Sequence, residues 1–281
     1  MFGFLNVYKP KGITSHDVVA QLRKATGIKQ IGHTGTLDPF AEGVLPVCIG
    51  KATRLIEFLD DDKEYLATVQ FGKETDTYDL EGNVTKEYEQ IISESELTEQ
   101  LKHFEGKILQ TPPIYSALKV NGKKLYEYAR EGKSIEVQPR EVEIYKIELI
   151  SFDDIKQQAE ILIGCSKGTY IRSIAYDLGK NLNCGGHLIK LIRTKAGKFT
   201  LEKSIKDYTN NISDNIINPI DIIGLPKINI NDEEHGKVLQ GQYLNNHSKI
   251  NNEYLILIYN DRIDAIAFAE EDKIRVKKVF V

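Results

Sequence analysis

Cysteine is scarce, with only Cys48, Cys165 and Cys184 in 281 residues. An odd number without CxxC spacing excludes a disulfide framework or a zinc knuckle and leaves buried free thiols as the expectation. Long apolar runs are missing too. No stretch approaches the roughly 20 residues that span a bilayer, and the N-terminus MFGFLNVYKPKG lacks a basic flank followed by an apolar stretch and a small-residue cleavage site. A cytoplasmic protein is therefore expected. There is no GxxxxGK(S/T), no GxGxxG after a strand, no HExxH and no GxSxG, and no internal repeat or heptad pattern. Positive charge is not in excess: 37 Lys and Arg against 41 Asp and Glu give −4. That balance argues against nonspecific nucleic-acid binding but is silent on local patches. What remains, 41% hydrophobic and 28% charged residues, is the composition of an ordinary soluble globular protein, long enough for a main domain with an appendage.

Against that background, residues 31–54, IGHTGTLDPFAEGVLPVCIGKATR, concentrate Gly, His, Thr and a single Asp between short apolar runs. Pro39 fixes its own φ and pushes Asp38 toward an extended conformation, and the glycines admit turns that a Cβ forbids. This loop is built to hold one shape. Asp38 is the candidate reacting group, with His33, Thr34 and Thr36 as its expected hydrogen-bonding neighbours. An Asx-turn, in which Asp38 bonds the backbone two residues on, accounts for the same residues.

Around the loop the chain reads as alternating strands and helices. Residues 2–7 form a strand, and Ser15 is expected to cap a helix bearing Val18, Val19, Leu22 and Ala25 that stops at Gly27. Residues 51–59 read as a second helix. Residues 64–71 alternate, with Tyr65, Ala67, Val69 and Phe71 on one side, as a half-buried strand does. Asp76 and Asp79 fall in TDTYDLEG, which reads as a turn. Ser95 is expected to open a helix bearing Leu97, Leu101 and Phe104 that ends at Gly106. Residues 114–140 carry Lys119, Lys123, Lys124, Arg130, Lys133 and Arg140 against Glu127, Glu131 and Glu136, interleaved with Tyr115, Tyr126 and Tyr128. Such a mixture suits a surface that grips phosphates and stacks on bases, although a solvated charged helix face has the same composition.

Strands at 142–150 and 159–165 lead to a helix with Ile171, Ile174, Ala175, Leu178 and Leu182 at helical spacing. Arg172 is placed beside that stripe, near the helix start, where a cation opposes the macrodipole unless an anion lies close. CGGHLIKLIRTKAGKF then brings His187, Lys190, Arg193, Lys195 and Lys198 without one acid, a second candidate nucleic-acid face. Residues 204–224 read as a helix and linker. Strands at 253–259, 263–270 and 274–281, the last bearing Arg275, Lys277 and Lys278, close the chain as a compact β-barrel or curled sheet.

Taken together, NVYKPKGITSHDVV, IGHTGTLDPFAEGVLPVCIGKATR, KEYLATVQFGKETDTYDLEG, PPIYSALKVNGKKLYEYAREG, CSKGTYIRSIAYDLG and CGGHLIKLIRTKAGKF resemble, in order, the successive motifs of the bacterial TruB-type tRNA pseudouridine synthases. The resemblance is strong over residues 1–200. It implies an α+β fold: a catalytic domain at 1–224 around a mixed, mostly antiparallel sheet, a thumb-like insertion at 114–140, and a small PUA-like β-barrel module at 225–281. It implies isomerisation of uridine 55 in the T loop of tRNA, after base flipping, by a monomer needing no cofactor, metal, membrane or protein partner. Asp38 falls on the family's essential aspartate and Tyr65 on the tyrosine that stacks against the target base. Tyr170 and Arg172 fall on pocket residues, the arginine pairing with the aspartate. His33 matches a histidine of RNA engagement and base flipping, and Leu191 an apolar pocket residue. Lys119, Lys123 and Lys124 belong to the thumb that closes over the T arm. The rival readings are a non-catalytic tRNA-binding chaperone and a guide-RNA-dependent synthase, the latter opposed by the long insertion. A glycoside hydrolase usually needs two carboxylates, and no convincing partner for Asp38 stands out in the sequence.

Overall fold

Thr14, not Ser15, caps the first helix. The computed structural model describes residues 1–120, 122–133 and 135–280, and in it β1 (Gly3–Lys9) runs into α1 (Ser15–Thr26) through a capping box between Thr14 and Asp17. Ser15 is the first helical residue and is buried, its hydroxyl taken by the main chain of Leu37. Gly27 ends the helix in the left-handed conformation, as expected. After β2 (Ile31–His33) and β3 (Glu42–Ile49), the expected second helix is a 3-10 helix, Gly50–Phe58. Its buried residues, Ala52 and Leu55, lie three apart, the spacing that eclipses in that geometry.

β4 (Lys63–Phe71) buries Tyr65, Ala67, Val69 and Phe71 on one face, as the alternation predicts. A hairpin of β5 (Lys73–Thr75) and β6 (Val84–Glu87) follows. α2 (Glu94–Lys102) is capped by Ser93 and not Ser95, because Glu96 three residues on completes the capping box. Gly106 opens β7 (Gly106–Gln110) instead of ending the helix. The 114–140 segment contains β8 (Lys119–Val120), β9 (Lys123–Lys124) and α3 (Leu125–Arg130). Then come β10 (Arg140–Asp153), β11 (Gln158–Cys165), α4 (Ile171–Asn181), β12 (Gly186–Ala196) and β13 (Phe199–Thr200). In place of a full helix, residues 204–224 hold a 3-10 turn, Ile212–Asn215, and the single-turn α5 (Pro219–Ile222), which starts at a proline.

The main sheet has the order β1-β3-β12-β4-β11-β10-β7, with β2 on β3 and β13 on β12. Among the described residues of this sheet, only β3 and β12 pair in parallel, at Ile192↔Glu42 and Arg193↔Gly43. α2 and α4 cover one face over a core of Ala67, Val69, Leu97, Ile161, Ile174 and Leu178. α1 closes a second core with Leu5, Val7, Leu45 and Val47. α4 comes close to β12 because Gly179 has no side chain: a Cβ there would lie 2.1 Å from the Gly186 nitrogen. All three cysteines are buried and unbridged.

A second sheet, with α6 (Asp232–Leu239) against it, has the order β14 (Lys227–Asn229), β16 (Glu253–Tyr259), β17 (Arg262–Ala269), β18 (Lys273–Val279), β15 (Leu244–Asn245). The last strand was expected to reach Val281, which lies outside the described residues. An apolar cluster of Phe4, Leu55, Phe199, Ile256, Ile266 and Phe280 joins this module to the edge of the main sheet.

Candidate active site

The loop carrying Asp38 is held from behind by three elements. Ser15 on α1 donates to the Leu37 carbonyl at 3.0 Å and accepts from the Leu37 N–H at 2.8 Å. Lys9, at the end of β1 and 0% exposed, donates to the carbonyls of Ile13 at 2.7 Å, Pro10 at 2.9 Å and Pro39 at 3.4 Å. The Gly12 N–H also reaches the Pro39 carbonyl, at 2.8 Å. Burial pushes the Lys9 ammonium down to about 8, with the Asp38 charge opposing the change. The sequence marked Ser15 only as a helix cap and did not single out Lys9, whose partners are main-chain carbonyls that no side-chain pattern records.

Asp38 finds its partner on α4. The Nε of Arg172 lies 3.0 Å from Asp38 Oδ2, and its Nη1 lies 3.4 Å from Asp79 Oδ2. The same guanidinium donates to the carbonyls of Thr77 at 3.1 Å and Tyr115 at 3.0 Å. Arg172 is thus buried within the helix's inner face and not beside it, which two carboxylates and two carbonyls make affordable. The side chain of Arg172 is 6% exposed and that of Asp38 36%, so the cation backs the carboxylate and the carboxylate faces outward. Burial raises the Asp38 pKa, Arg172 opposes that rise, and the Asp79 charge adds to it. TDTYDLEG is a turn, as read, but it also delivers the second acid: Asp79 is 4% exposed and accepts from the Thr77 hydroxyl at 2.6 Å and the Glu81 N–H at 3.0 Å.

Asp38 opens into a cavity of about 640 Å³ whose wall includes Tyr65, Tyr170, Arg172, Leu191 and Arg193. Tyr65 is 9% exposed, and Leu191 is buried. Arg193, 1% exposed, pairs in register with Tyr65 across β4 and β12 and its guanidinium meets the Tyr65 hydroxyl. It also donates to the carbonyls of Val44 at 2.6 Å and Gly35 at 3.1 Å. Burial raises the Tyr65 hydroxyl's pKa, and Arg193 counters it. Gly43 makes room for this strand crossing: at φ +106, a Cβ there would lie 2.4 Å from the Arg193 carbonyl oxygen.

The basic face expected along CGGHLIKLIRTKAGKF does not form as one surface. β12 is an interior strand, so its alternate residues turn inward. Arg193 and His187 are buried, Lys195 pairs with Asp62 at 3.1 Å, and only Lys190 and Lys198 are exposed. The other expected site residues divide. Gln110 clamps the main chain of Tyr170 by two hydrogen bonds, at 2.8 and 3.0 Å, and Arg140 lies 5.0 Å over its ring. His33 stands on β2 outside the cavity wall, with its Nδ1 buried and without a partner; burial, then Arg193 and His16, keep its pKa low. Neither His33, Thr34 nor Thr36 is the partner of Asp38; Arg172 is. Lys119, Lys123 and Lys124 also lie off the wall: Lys123 pairs with Glu131 over the Tyr128 ring, and Lys124 bonds the Tyr126 hydroxyl at 3.3 Å. The root of their segment, Ser116 to Leu118, does line it. Among the described residues no His, Cys, Asp and Glu cluster could hold a metal.

The mixed-sheet architecture recurs in solved structures. The chain superposes along its full length on a solved Cbf5-Nop10-Gar1 complex (TM-score 0.73, 28% identity, 85% of that chain covered). It does so likewise on an H/ACA RNP bound to a substrate RNA containing 2′-deoxyuridine (TM-score 0.71, 26% identity, 85% of that chain). The fold is that of the pseudouridine synthases. More closely, residues 23–171 match the model of the TruB family pseudouridylate synthase N-terminal domain. Proteins named tRNA pseudouridine synthase B are similar over most of their length: from Caldanaerobacter subterraneus at 43% identity over 99% of both chains, and from Clostridium novyi at 54% over 77% of this chain and 76% of the relative. The chain belongs to the TruB family of pseudouridylate synthases.

Proposed function

We propose that this enzyme isomerises uridine 55 in the T loop of tRNA to pseudouridine, with Asp38 as the reacting carboxylate. The observation that carries the reading is the Asp38–Arg172 pair, 3.0 Å apart, at the mouth of a cavity walled by Tyr65. The reaction breaks the N1–C1′ bond, turns the base and rejoins it through C5, with no net oxidation and no group lost. Three courses are open to a carboxylate: attack at C1′, attack at C6, or removal of the C2′ proton to give a glycal. All require an ionised acid in a site that excludes water. Burial works against that charge and Arg172 supports it.

The target atom is inaccessible in a stacked loop, so the nucleotide is flipped out, at a cost of a few kcal/mol. Stacking on Tyr65 restores about 1–3 kcal/mol. The Tyr65 hydroxyl, with Arg193 beside it, helps remove the C5 proton. Tyr170 and Leu191 confine the base, and His33 acts in RNA engagement from outside the cavity wall. Lys119, Lys123 and Lys124 of the 114–140 insertion grip the T arm as a monomer binds it. In this reading residues 1–224 are catalytic, and 225–281 form a PUA-like, barrel-type module that contacts RNA. The test is tritium release from a tRNA transcript labelled at uracil C5. Release from the native transcript, and none once uridine 55 alone is replaced by cytidine, supports the assignment; equal release from both refutes it. Activity on an isolated T-arm hairpin, with no second RNA, separates it from a guide-dependent synthase.

A further inference from the structure

Among the described residues, five cations line the reaction cavity: Lys63, Arg140, Lys167, Arg172 and Arg193. Arg172 is held by Asp38 and Asp79, and Lys167 by Asp61 at 2.5 Å. Arg193 is spent on Val44, Gly35 and Tyr65, and Arg140 lies over Tyr170. Lys63 is different. Its ammonium donates only to the main-chain carbonyls of Asp61, at 2.9 Å, and Asp62, at 3.4 Å. The carboxylates of those two residues are committed to Lys167 and Lys195. Among the described residues Lys63 has no ion-pair partner, although it is half-buried, with Cε against Gly35. Burial and the neighbouring Arg193 charge push its pKa below the ordinary lysine value, and the Asp61 and Asp62 charges oppose that. A desolvated cation beside another cation is a site prepared for an anion.

The strand says where that anion would be. Lys63 and Tyr65 are two residues apart on β4, so their side chains leave the same face about 7 Å apart along the strand. A nucleotide whose base lies on Tyr65 carries its nearest phosphates at a comparable reach. We propose that Lys63 grips a backbone phosphate flanking the flipped uridine while Tyr65 carries the base. The two residues thus fix base and backbone from one rigid strand, which makes Lys63 a substrate-binding residue inside the pocket, apart from the cations of the insertion. This rests on the reaction proposed above.

The test compares wild type, Lys63→Met and Lys63→Arg for binding of a T-arm hairpin across a series of KCl concentrations. Methionine keeps the apolar stem, and thermal unfolding checks that the fold is retained. Lys63→Met is expected to weaken binding severalfold and to flatten the slope of log affinity against log salt by about 0.7, the value of one single-strand phosphate contact. Lys63→Arg should keep the wild-type slope. Hairpins with one uncharged methylphosphonate, placed 5′ or 3′ of the target, identify the phosphate: one of them should weaken wild type and leave Lys63→Met unaffected. An unchanged slope for Lys63→Met, or equal losses by both proteins on both methylphosphonates, overturns the proposal. A wild type that binds the hairpin but releases no tritium would instead remove the proposed reaction and leave the phosphate contact standing.

Discussion

Replacing Asp79 with Asn separates two effects that the Arg172 guanidinium combines. Asp79 is 4% exposed, and its Oδ2 lies 3.4 Å from Arg172 Nη1 while its Oδ1 serves Thr77 and Glu81. An Asn with Oδ1 in place turns an NH2 toward the guanidinium, so one ion pair of a coupled network is lost, a change of about 0.5–3 kcal/mol. With about 1.4 kcal/mol for each factor of ten in rate, kcat should fall by roughly 2- to 150-fold if the pose of Arg172 matters in the transition state. Binding of the T-arm hairpin should barely change, since Asp79 does not line the cavity. The acid limb of the pH profile gives a second readout of opposite sense. The Asp79 charge raises the Asp38 pKa, so removing it should move the limb to lower pH even as the plateau falls. Single-turnover pseudouridine formation on the hairpin, followed across pH, measures both. An unchanged kcat, or a limb that moves to higher pH, would refute the idea that Asp79 braces the arginine while repelling Asp38.

Tyr65→Phe keeps the ring and removes the hydroxyl that meets Arg193. Hairpin affinity should hold while turnover slows, and unchanged turnover would eliminate a proton-transfer role. Lys9 titrates near 8 in the folded protein, below the 10.5 of a free lysine. Between those values the unfolded chain binds the extra proton, so the contribution of Lys9 to stability rises with pH across that window. Thermal unfolding of wild type against Lys9→Met should show a difference that changes from about pH 8 to 10.5, and a constant difference would contradict it.

Local chemistry is what the sequence records best. The strand containing Tyr65, the helix stop at Gly27 and the apolar stripe of α4 were all legible, because alternation, glycine and helical period are properties of neighbouring residues. Arg172 was readable as a cation in want of an anion, and the family resemblance supplied Asp38. The cap positions were misread by one and two residues, since Thr14 and Ser93 win by having Asp17 and Glu96 three positions on. Asp79, Ser15 and Arg193 were missed or misplaced for one shared reason. Their partners lie far along the chain, 149 residues apart for Arg193 and Val44, and no short window holds both; Lys9 was missed although Pro10 and Ile13 are local, because main-chain acceptors leave no residue pattern. Arg193 in particular looked like one of a row of surface cations until β12 was seen to run through the middle of the sheet.

The measurement closest to the core of this account is product formation by Asp38→Asn on the T-arm hairpin, with affinity determined on the same preparation. The account predicts wild-type binding and no detectable pseudouridine. Pseudouridine formed at a rate near that of wild type would contradict it, since the Asp38–Arg172 pair would then be an ornament of the pocket and not its working part.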